Sequence, residues 1–141
     1  MVVAPPLVRC SVPCEEVLSV RVLVVDDHPT FRLALTSALE LVGEIEVAGE
    51  AGGGLEACLE AAHVAPDVVL MDLSMPDLSG FDAMERIHAR DPGLPVVILT
   101  ANAHPDVEAE ARRAGASGFV AKGAMLDDIV VVLHEAAEPT A

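Results

Sequence analysis

The chain has 141 residues, of which 52% are hydrophobic, and a mean hydropathy of +0.49, a composition that excludes intrinsic disorder and suits one domain with its own core. Its 23 acidic residues outnumber its 8 lysines and arginines, which gives a formal charge of -15 at pH 7. We therefore exclude direct binding of this chain to nucleic acid or to an anionic membrane, because both carry negative charge.

Residues 1–19 show no helical or strand periodicity and are predicted to be a flexible N-terminal extension. This stretch holds Cys10 and Cys14 but no apolar segment of the length typical of a signal peptide or a membrane span. Together with Cys58 they make three cysteines without a disulfide or metal-binding pattern. We expect a cytoplasmic protein whose folded domain covers residues 20–141.

From residue 20 onward, short runs rich in Val, Leu and Ile alternate with helical patterns, which is typical of a parallel α/β domain. Five strands are predicted, at residues 21–26, 45–50, 67–72, 95–100 and 118–122. The predicted helices begin at Pro29, with an apolar stripe that reaches Val42, and then cover residues 54–63, 80–90 after a Ser79 cap, 105–114 and 125–137.

Chemically useful side chains stand where four of these strands end. The first strand ends in Asp26 and Asp27, the third in Asp72, the fourth in Thr100 and the fifth in Lys122. Lys122 is also the only lysine of the chain. Because the carboxyl ends of parallel strands meet at one edge of the sheet, we expect these five side chains to lie close together.

Three carboxylates at close range need a cation, because like charges cannot all stay ionised cheaply. Oxygen ligands from Asp26, Asp27 and Asp72 suit Mg²⁺, which keeps positions free for water or phosphate oxygens. A phosphoryl group on Asp72, neutralised by Lys122 and hydrogen-bonded by Thr100, would complete such a site. The residues therefore favour Asp72 as a carboxylate nucleophile that forms an aspartyl phosphate.

The sequence resembles the receiver domains of two-component response regulators. The resemblance runs from about Arg21 to the C-terminus and depends on an ordered set of motifs: DDHP (26–29), MDLSMPDLSG (71–80), LTA (99–101) and GFVAK (118–122). The stretch DDHPTFRLALTSALE is most similar to the branch whose members carry a LuxR-type helix-turn-helix output domain. The family implies a (βα)5 fold, a doubly wound open parallel sheet of order 2-1-3-4-5 with helices on both faces.

The resemblance also implies a role for each matched residue. Asp72 would be the phosphoacceptor, and Asp26 and Asp27 would hold Mg²⁺ together with Asp72 and the main-chain carbonyl of Ser74. Thr100 and Lys122 would contact the phosphoryl group.

Two further roles are implied around this centre. Phe119 would change rotamer together with Thr100 as the conformational switch, and Ser74 and Asn102 would tune the rate of dephosphorylation. The family further implies a signalling phosphoacceptor, not an enzyme with an external substrate, that assists its own phosphorylation and dephosphorylation.

The implied partners are a histidine kinase or a phosphotransfer protein, and a second receiver bound through the fourth helix, fifth strand and fifth helix. The family often has proline or an acidic residue after the lysine, where this chain has Gly123. The chain ends at Ala141 without an output domain, so both a stand-alone receiver and a fragment of a longer regulator stay open.

Three alternatives are kept. A degenerate receiver would signal without phosphorylation. The run from Gly52 to Ala57 fits the G-x-G-x-x-A pattern of a dinucleotide-binding domain, although Glu50 stands where a pyrophosphate would bind. An aspartate-dependent phosphatase would usually carry a second aspartate where this chain has Ser74.

Overall fold

The computed structural model describes residues 19–138. The predicted flexible extension, residues 1–19, lies outside the described residues except for its last position. Strands and helices alternate in the order β1 (Val20–Val25), α1 (Pro29–Glu40), β2 (Ile45–Ala51), α2 (Gly54–Val64), β3 (Val68–Asp72), α3 (Gly80–Arg90), β4 (Val96–Thr100), α4 (Pro105–Arg113), β5 (Gly118–Ala121) and α5 (Leu126–Ala137).

The five strands form one parallel sheet in the order β2-β1-β3-β4-β5. The predicted (βα)5 architecture and strand order are confirmed, and each strand boundary lies within one residue of its prediction. The pairing of β1 with the edge strand β2 shifts register between Val22 and Leu23, an irregularity that the sequence pattern did not indicate. Within the described range, no helix is both long and apolar enough to span a bilayer.

Two hydrophobic clusters cover the two faces of the sheet, because successive strand side chains point to opposite sides. On one face, Leu23, Met71 and Ile98 pack with residues of α2, α3 and α4. On the other face, Leu70 and Leu99 pack with residues of α1 and α5. Helices therefore cover both faces, and the three inner strands β1, β3 and β4 are buried almost throughout, whereas the edge strands β2 and β5 are partly exposed.

Helix starts follow the predicted local signals in two cases. Pro29 occupies the first turn of α1, and the Ser79 hydroxyl accepts a hydrogen bond from the Asp82 N–H at 3.2 Å at the start of α3. At α4 the cap is His104, whose Nδ1 accepts from the Asp106 N–H at 3.1 Å. The valine-rich run of residues 130–132 is helical and lies within the helix predicted at residues 125–137.

The start of α3 lies directly against the end of β3. The Gly80 N–H donates to the Leu73 carbonyl at 2.8 Å, which closes the loop of residues 73–79. A Cβ atom at Gly80 would lie 2.6 Å from the Asp72 carbonyl oxygen and 2.8 Å from the Leu73 Cα. Both neighbours are backbone atoms, so this close approach requires glycine and fixes the main chain at Asp72.

We expect Gly80→Ala to destabilise the protein by about 1–3 kcal/mol, because the added methyl group must displace backbone at Asp72. The matched control is Gly43→Ala, since a Cβ at Gly43 meets nothing within 4 Å. The control should leave stability unchanged or raise it by up to about 1 kcal/mol through the unfolded state. Urea unfolding followed by far-ultraviolet circular dichroism measures both, and equal stability of the two variants would contradict the close packing.

Candidate functional site

The carboxyl ends of the strands collect nearly all buried polar side chains of the described chain. Asp26, Asp72 and Thr100 lie here with 0%, 2% and 4% of their surface exposed, and the fourth member of the set, Thr36, bonds the Leu33 carbonyl within α1. Unpaired buried carboxylates are costly, so partners for Asp26 and Asp72 are to be expected at this edge.

Lys122 supplies a positive charge to both buried carboxylates. Its Nζ lies 2.8 Å from Asp26 Oδ2 and donates a hydrogen bond to Asp72 Oδ2 at 3.3 Å. The Asp72 side chain also accepts a hydrogen bond from the Ser74 N–H at 3.2 Å. The structure therefore brings together the ends of β1, β3 and β5, as the sequence predicted.

Asp27 and His28 form the outer rim of this cluster. His28 donates its N–H to Asp26 Oδ1 at 2.8 Å, and its Nδ1 lies 3.2 Å from carboxylate oxygens of both Asp26 and Asp27. Although His28 occupies the N-cap position of α1, its side chain makes no capping hydrogen bond and is 64% exposed. The ring is thus a surface neighbour of the acidic pair.

Opposing effects act on the pKa of the Asp72 carboxyl. Burial, followed by repulsion from Asp26, raises the pKa of the Asp72 carboxyl, and the Lys122 charge and the Ser74 N–H offset only part of this. For Lys122, burial lowers the pKa, but the close contact with Asp26 and the charges of both carboxylates outweigh burial and raise it. The edge thus holds more negative charge than one lysine neutralises.

The acidic residues fit a divalent cation. Four residues each offer one ligand atom, and these four atoms lie within 4.8 Å of one another: Asp26, Asp27, His28 and Asp72. Asp26 Oδ2 and Asp27 Oδ1 are buried and have no partner in hydrogen-bond geometry among the described residues, although Lys122 is at ion-pair distance from the former. Buried carboxylate oxygens of this kind are the ligands that Mg²⁺ prefers.

The loop after β3 lies beside an open depression of about 630 Å³, whose lining includes Asp27, Ser74 and Phe81. Ser74 itself is exposed, and its hydrogen bond to Asp72 keeps its main chain next to that carboxylate. The outer carboxylate of the cluster, Asp27, is therefore open to solvent on this side, while Asp26 and Asp72 lie buried behind it.

Thr100 and Phe119 belong to the same edge of the sheet. Their side chains are on the face that α2, α3 and α4 cover. The Thr100 hydroxyl accepts from the Asn102 N–H at 3.1 Å and donates to the Asn102 carbonyl at 3.4 Å. Phe119 is half-buried and packs against the cluster that α2, α3 and α4 cover. Asn102 is exposed in the loop between β4 and α4.

The loop after Lys122 needs no special backbone conformation at Gly123. The Ala124 N–H donates to the Ala121 carbonyl at 3.0 Å and forms a turn. A Cβ at Gly123 would meet nothing within 4 Å, and its φ lies outside the left-handed region. The departure from the family at this position therefore leaves the contacts of Lys122 intact.

Sequence reasoning missed three residues around the cluster. Phe31 places its ring centroid 4.8 Å from Lys122 Nζ, a cation–π distance. Arg32 donates a hydrogen bond to the Asp26 main-chain carbonyl and pairs with Glu50 at 3.2 Å. Both residues lie in the first turn of α1, directly after the acidic pair Asp26 and Asp27. Their closeness to this pair in the sequence could have indicated that they contact the cluster.

The third missed residue is Asp77. It contacts the glycine-rich run that would bind the pyrophosphate in a dinucleotide-binding domain. Its carboxylate accepts hydrogen bonds from the N–H groups of Gly54 at 3.0 Å and Leu55 at 3.1 Å. A pyrophosphate in the predicted glycine-rich turn would need these donors. Because Asp77 already occupies them, the structure gives the dinucleotide-binding alternative no support.

Comparison with known proteins agrees with this geometry. The family described as the response regulator receiver domain matches residues 22–134. The response regulator GacA of Pseudomonas viridiflava is 37% identical over 115 residues, which are 82% of this chain and 54% of that protein. The response regulator UvrY of Escherichia coli K12 is 36% identical over 115 residues, with shares of 82% and 53%. The chain thus spans about half the length of the curated relatives it matches.

Solved structures show the same architecture. A LuxR-family two-component response regulator from Aurantimonas sp. SI85-9A1 has a TM-score of 0.76 at 31% identity, covering 80% of this chain and 81% of that one. The response regulator domain of Thermotoga maritima CheB has a TM-score of 0.78 at 28% identity, covering 86% and 99%. The predicted resemblance to LuxR-type receivers is confirmed, and the chain belongs to the response regulator receiver domain family.

Proposed function

We propose that this receiver domain accepts a phosphoryl group on Asp72 from a histidine kinase or a phosphotransfer protein. One observation carries the proposal: a buried carboxylate at the end of β3 has a raised pKa and shares a single lysine with a second buried carboxylate. A structural ion pair would balance its charges, whereas this cluster leaves negative charge free to hold a cation and a phosphoryl group.

Asp26, Asp27, Asp72 and the main-chain carbonyl of Ser74 would hold Mg²⁺, which supplies charge neutralisation for the carboxylates and the phosphoryl oxygens. Two buried carboxylate oxygens support this assignment: among the described residues, Asp26 Oδ2 and Asp27 Oδ1 have neighbours at ion-pair distance, Lys122 and His28, but accept no well-aligned hydrogen bond. The depression beside Asp27 and Ser74 leaves room for the phosphohistidine of the donor.

In the transfer, a carboxylate oxygen of Asp72 bonds to the phosphorus while the bond from phosphorus to the donor imidazole nitrogen breaks. The electron pair of that bond leaves with the imidazole, so no other reactant is consumed. Lys122, already within 3.3 Å of Asp72, neutralises charge on the transferred group.

The phosphoryl group adds nearly two negative charges and several strong acceptors. The Thr100 hydroxyl, which now bonds only the main chain of Asn102, exchanges these bonds for one to the phosphoryl group. Phe119 then moves inward with Thr100, and the surface of α4, β5 and α5 changes. This surface pairs with a second receiver or a downstream partner.

Ser74 and Asn102 are both exposed beside the site and set how easily water reaches the phosphoryl group. The domain thereby assists its own phosphorylation and dephosphorylation. In this proposal it works in the cytoplasm as a signalling domain and does not itself bind nucleic acid, because its charge of -15 disfavours contact with phosphate.

The proposed function predicts a single phosphoryl adduct after incubation with acetyl phosphate and Mg²⁺, measured by intact mass. The adduct should be absent from Asp72→Ala and strongly reduced without Mg²⁺, because both the nucleophile and the neutralising cation are needed.

The matched control for this experiment is Asp106→Ala, which removes an exposed aspartate at the start of α4 and should leave the adduct unchanged. A folded wild-type protein that gains no adduct would contradict the phosphoacceptor function and favour the degenerate receiver. An adduct that persists in Asp72→Ala would place the chemistry on another residue.

The charge of Asp72 also predicts an effect on stability. Since burial and Asp26 raise the pKa of Asp72, the folded state disfavours the ionised carboxylate, and Asp72→Asn should unfold at higher urea concentration than wild type at pH 7. The carboxyl's contribution to folding is complete below its unfolded pKa of about 3.9 and is lost as pH rises through the higher folded pKa. The gain in Asp72→Asn should therefore vanish as pH falls.

Urea unfolding of both proteins between pH 4 and pH 7, followed by circular dichroism, measures this gain, with Asp106→Asn as an exposed control. A loss of stability in Asp72→Asn at pH 7 would mean that the pairing with Lys122 outweighs the burial of charge.

A further inference from the structure

Asp77 connects the loop that carries Ser74 to a different helix. It lies in the loop of residues 73–79, and its two carboxylate oxygens accept from the first two N–H groups of α2, those of Gly54 and Leu55. These N–H groups have no acceptor within their own helix. The N-cap residue of α2 is Gly53, which has no side chain to supply one. A residue from another loop therefore caps α2.

The glycine run before α2 makes room for this contact. A Cβ at Gly53 would lie 2.9 Å from both Asp77 carboxylate oxygens, and a Cβ at Gly54 would lie 2.7 Å from the Leu78 Cβ. Neither glycine has a φ in the left-handed region, so the requirement is space and not backbone conformation. The glycine pattern that resembled a dinucleotide fingerprint is thus explained by the approach of Asp77 and Leu78.

The contact restrains the middle of the loop. Its start is held by the Ser74 N–H on Asp72 and its end by the Gly80 N–H on Leu73, while the Ser79 hydroxyl bonds only within α3. Among the described residues, Asp77 makes the side-chain hydrogen bonds that tie this loop to another helix. Hydrogen bonds from the Leu55 and Gly54 N–H groups lower the pKa of Asp77, so the acceptor stays ionised at neutral pH.

We propose that Asp77 is a positioning residue for the cation site: its cap on α2 holds the loop so that the Ser74 main-chain carbonyl stays available as a ligand. The inference rests on the proposed function of that site. A main-chain ligand depends on the conformation of its loop, since it has no rotamer of its own to adjust. Outer-shell contacts of this kind typically change metal affinity by 10–100-fold.

The test is the dissociation constant for Mg²⁺, measured by titration of backbone amide chemical shifts in the full chain. Asp77→Ala should raise this constant about tenfold, and the amides of Gly54 and Leu55 should lose protection from hydrogen exchange. Ser79→Ala is the matched control, because it removes a helix cap from the same loop without breaking the link to α2. Its Mg²⁺ affinity should stay that of wild type.

Gly53→Ala provides a second perturbation that leaves the carboxylate in place. Its methyl group would displace the Asp77 side chain, so Mg²⁺ affinity should fall in the same direction as in Asp77→Ala. Asp77→Asn keeps one acceptor oxygen and should lie between wild type and Asp77→Ala. If Asp77→Ala does not fold, these two variants decide the question.

The outcomes distinguish failure of the proposed Mg²⁺ site from failure of the positioning role of Asp77. A wild-type protein that binds no Mg²⁺ would overturn the proposed function of the site and this inference with it. A wild-type protein that binds Mg²⁺, together with Asp77 variants of unchanged affinity despite faster exchange at Gly54 and Leu55, would overturn the positioning role alone.

Discussion

The pairing of Lys122 with Asp26 and Asp72 is the interaction on which this edge of the sheet depends. The ammonium group reaches both carboxylates, at 2.8 and 3.3 Å, and also lies over the Phe31 ring, so one side chain connects β1, β3, β5 and α1. Three carboxylates and one lysine leave the cluster with excess negative charge. That imbalance costs stability in the folded protein, and the proposed binding of Mg²⁺ and a phosphoryl group rests on it.

Side chains alternate along the strands, so the polar residues at this edge are distributed between the two faces of the sheet. Asp26, Asp72 and Lys122 continue the rows that point toward α1 and α5, as Val24, Leu70 and Val120 do. Thr100 and Phe119 continue the rows that point toward α2, α3 and α4, as Ile98 does. The charged cluster and the residues of the proposed switch therefore lie on opposite sides of the sheet, and the strand ends are where they meet.

Much of this arrangement follows from the sequence. The apolar runs and the polar residues that end them predicted the strands within one residue and brought Asp26, Asp72, Thr100 and Lys122 to one edge, because parallel strands share the direction of their ends. The sequence pattern did not predict the contacts that depend on the conformation of loops. The cap that Asp77 places on α2 joins residues that are 22 and 23 positions apart and have no shared periodicity. The glycine run was visible, but without the approach of Asp77 it resembled a phosphate-binding turn.

The strand β5 has only four residues, and Phe119 and Lys122 are three positions apart, so they belong to opposite faces of the sheet. Loss or gain of one residue between them would bring both to the same face, although the composition of the strand would hardly change. Exchange of one aliphatic residue for another in this strand is therefore expected to keep both side chains on their faces, whereas a change in the length of the strand is expected to move one of them. In this family member, insertions and deletions are expected to accumulate in the loops, and the spacing within the short strand is expected to remain fixed.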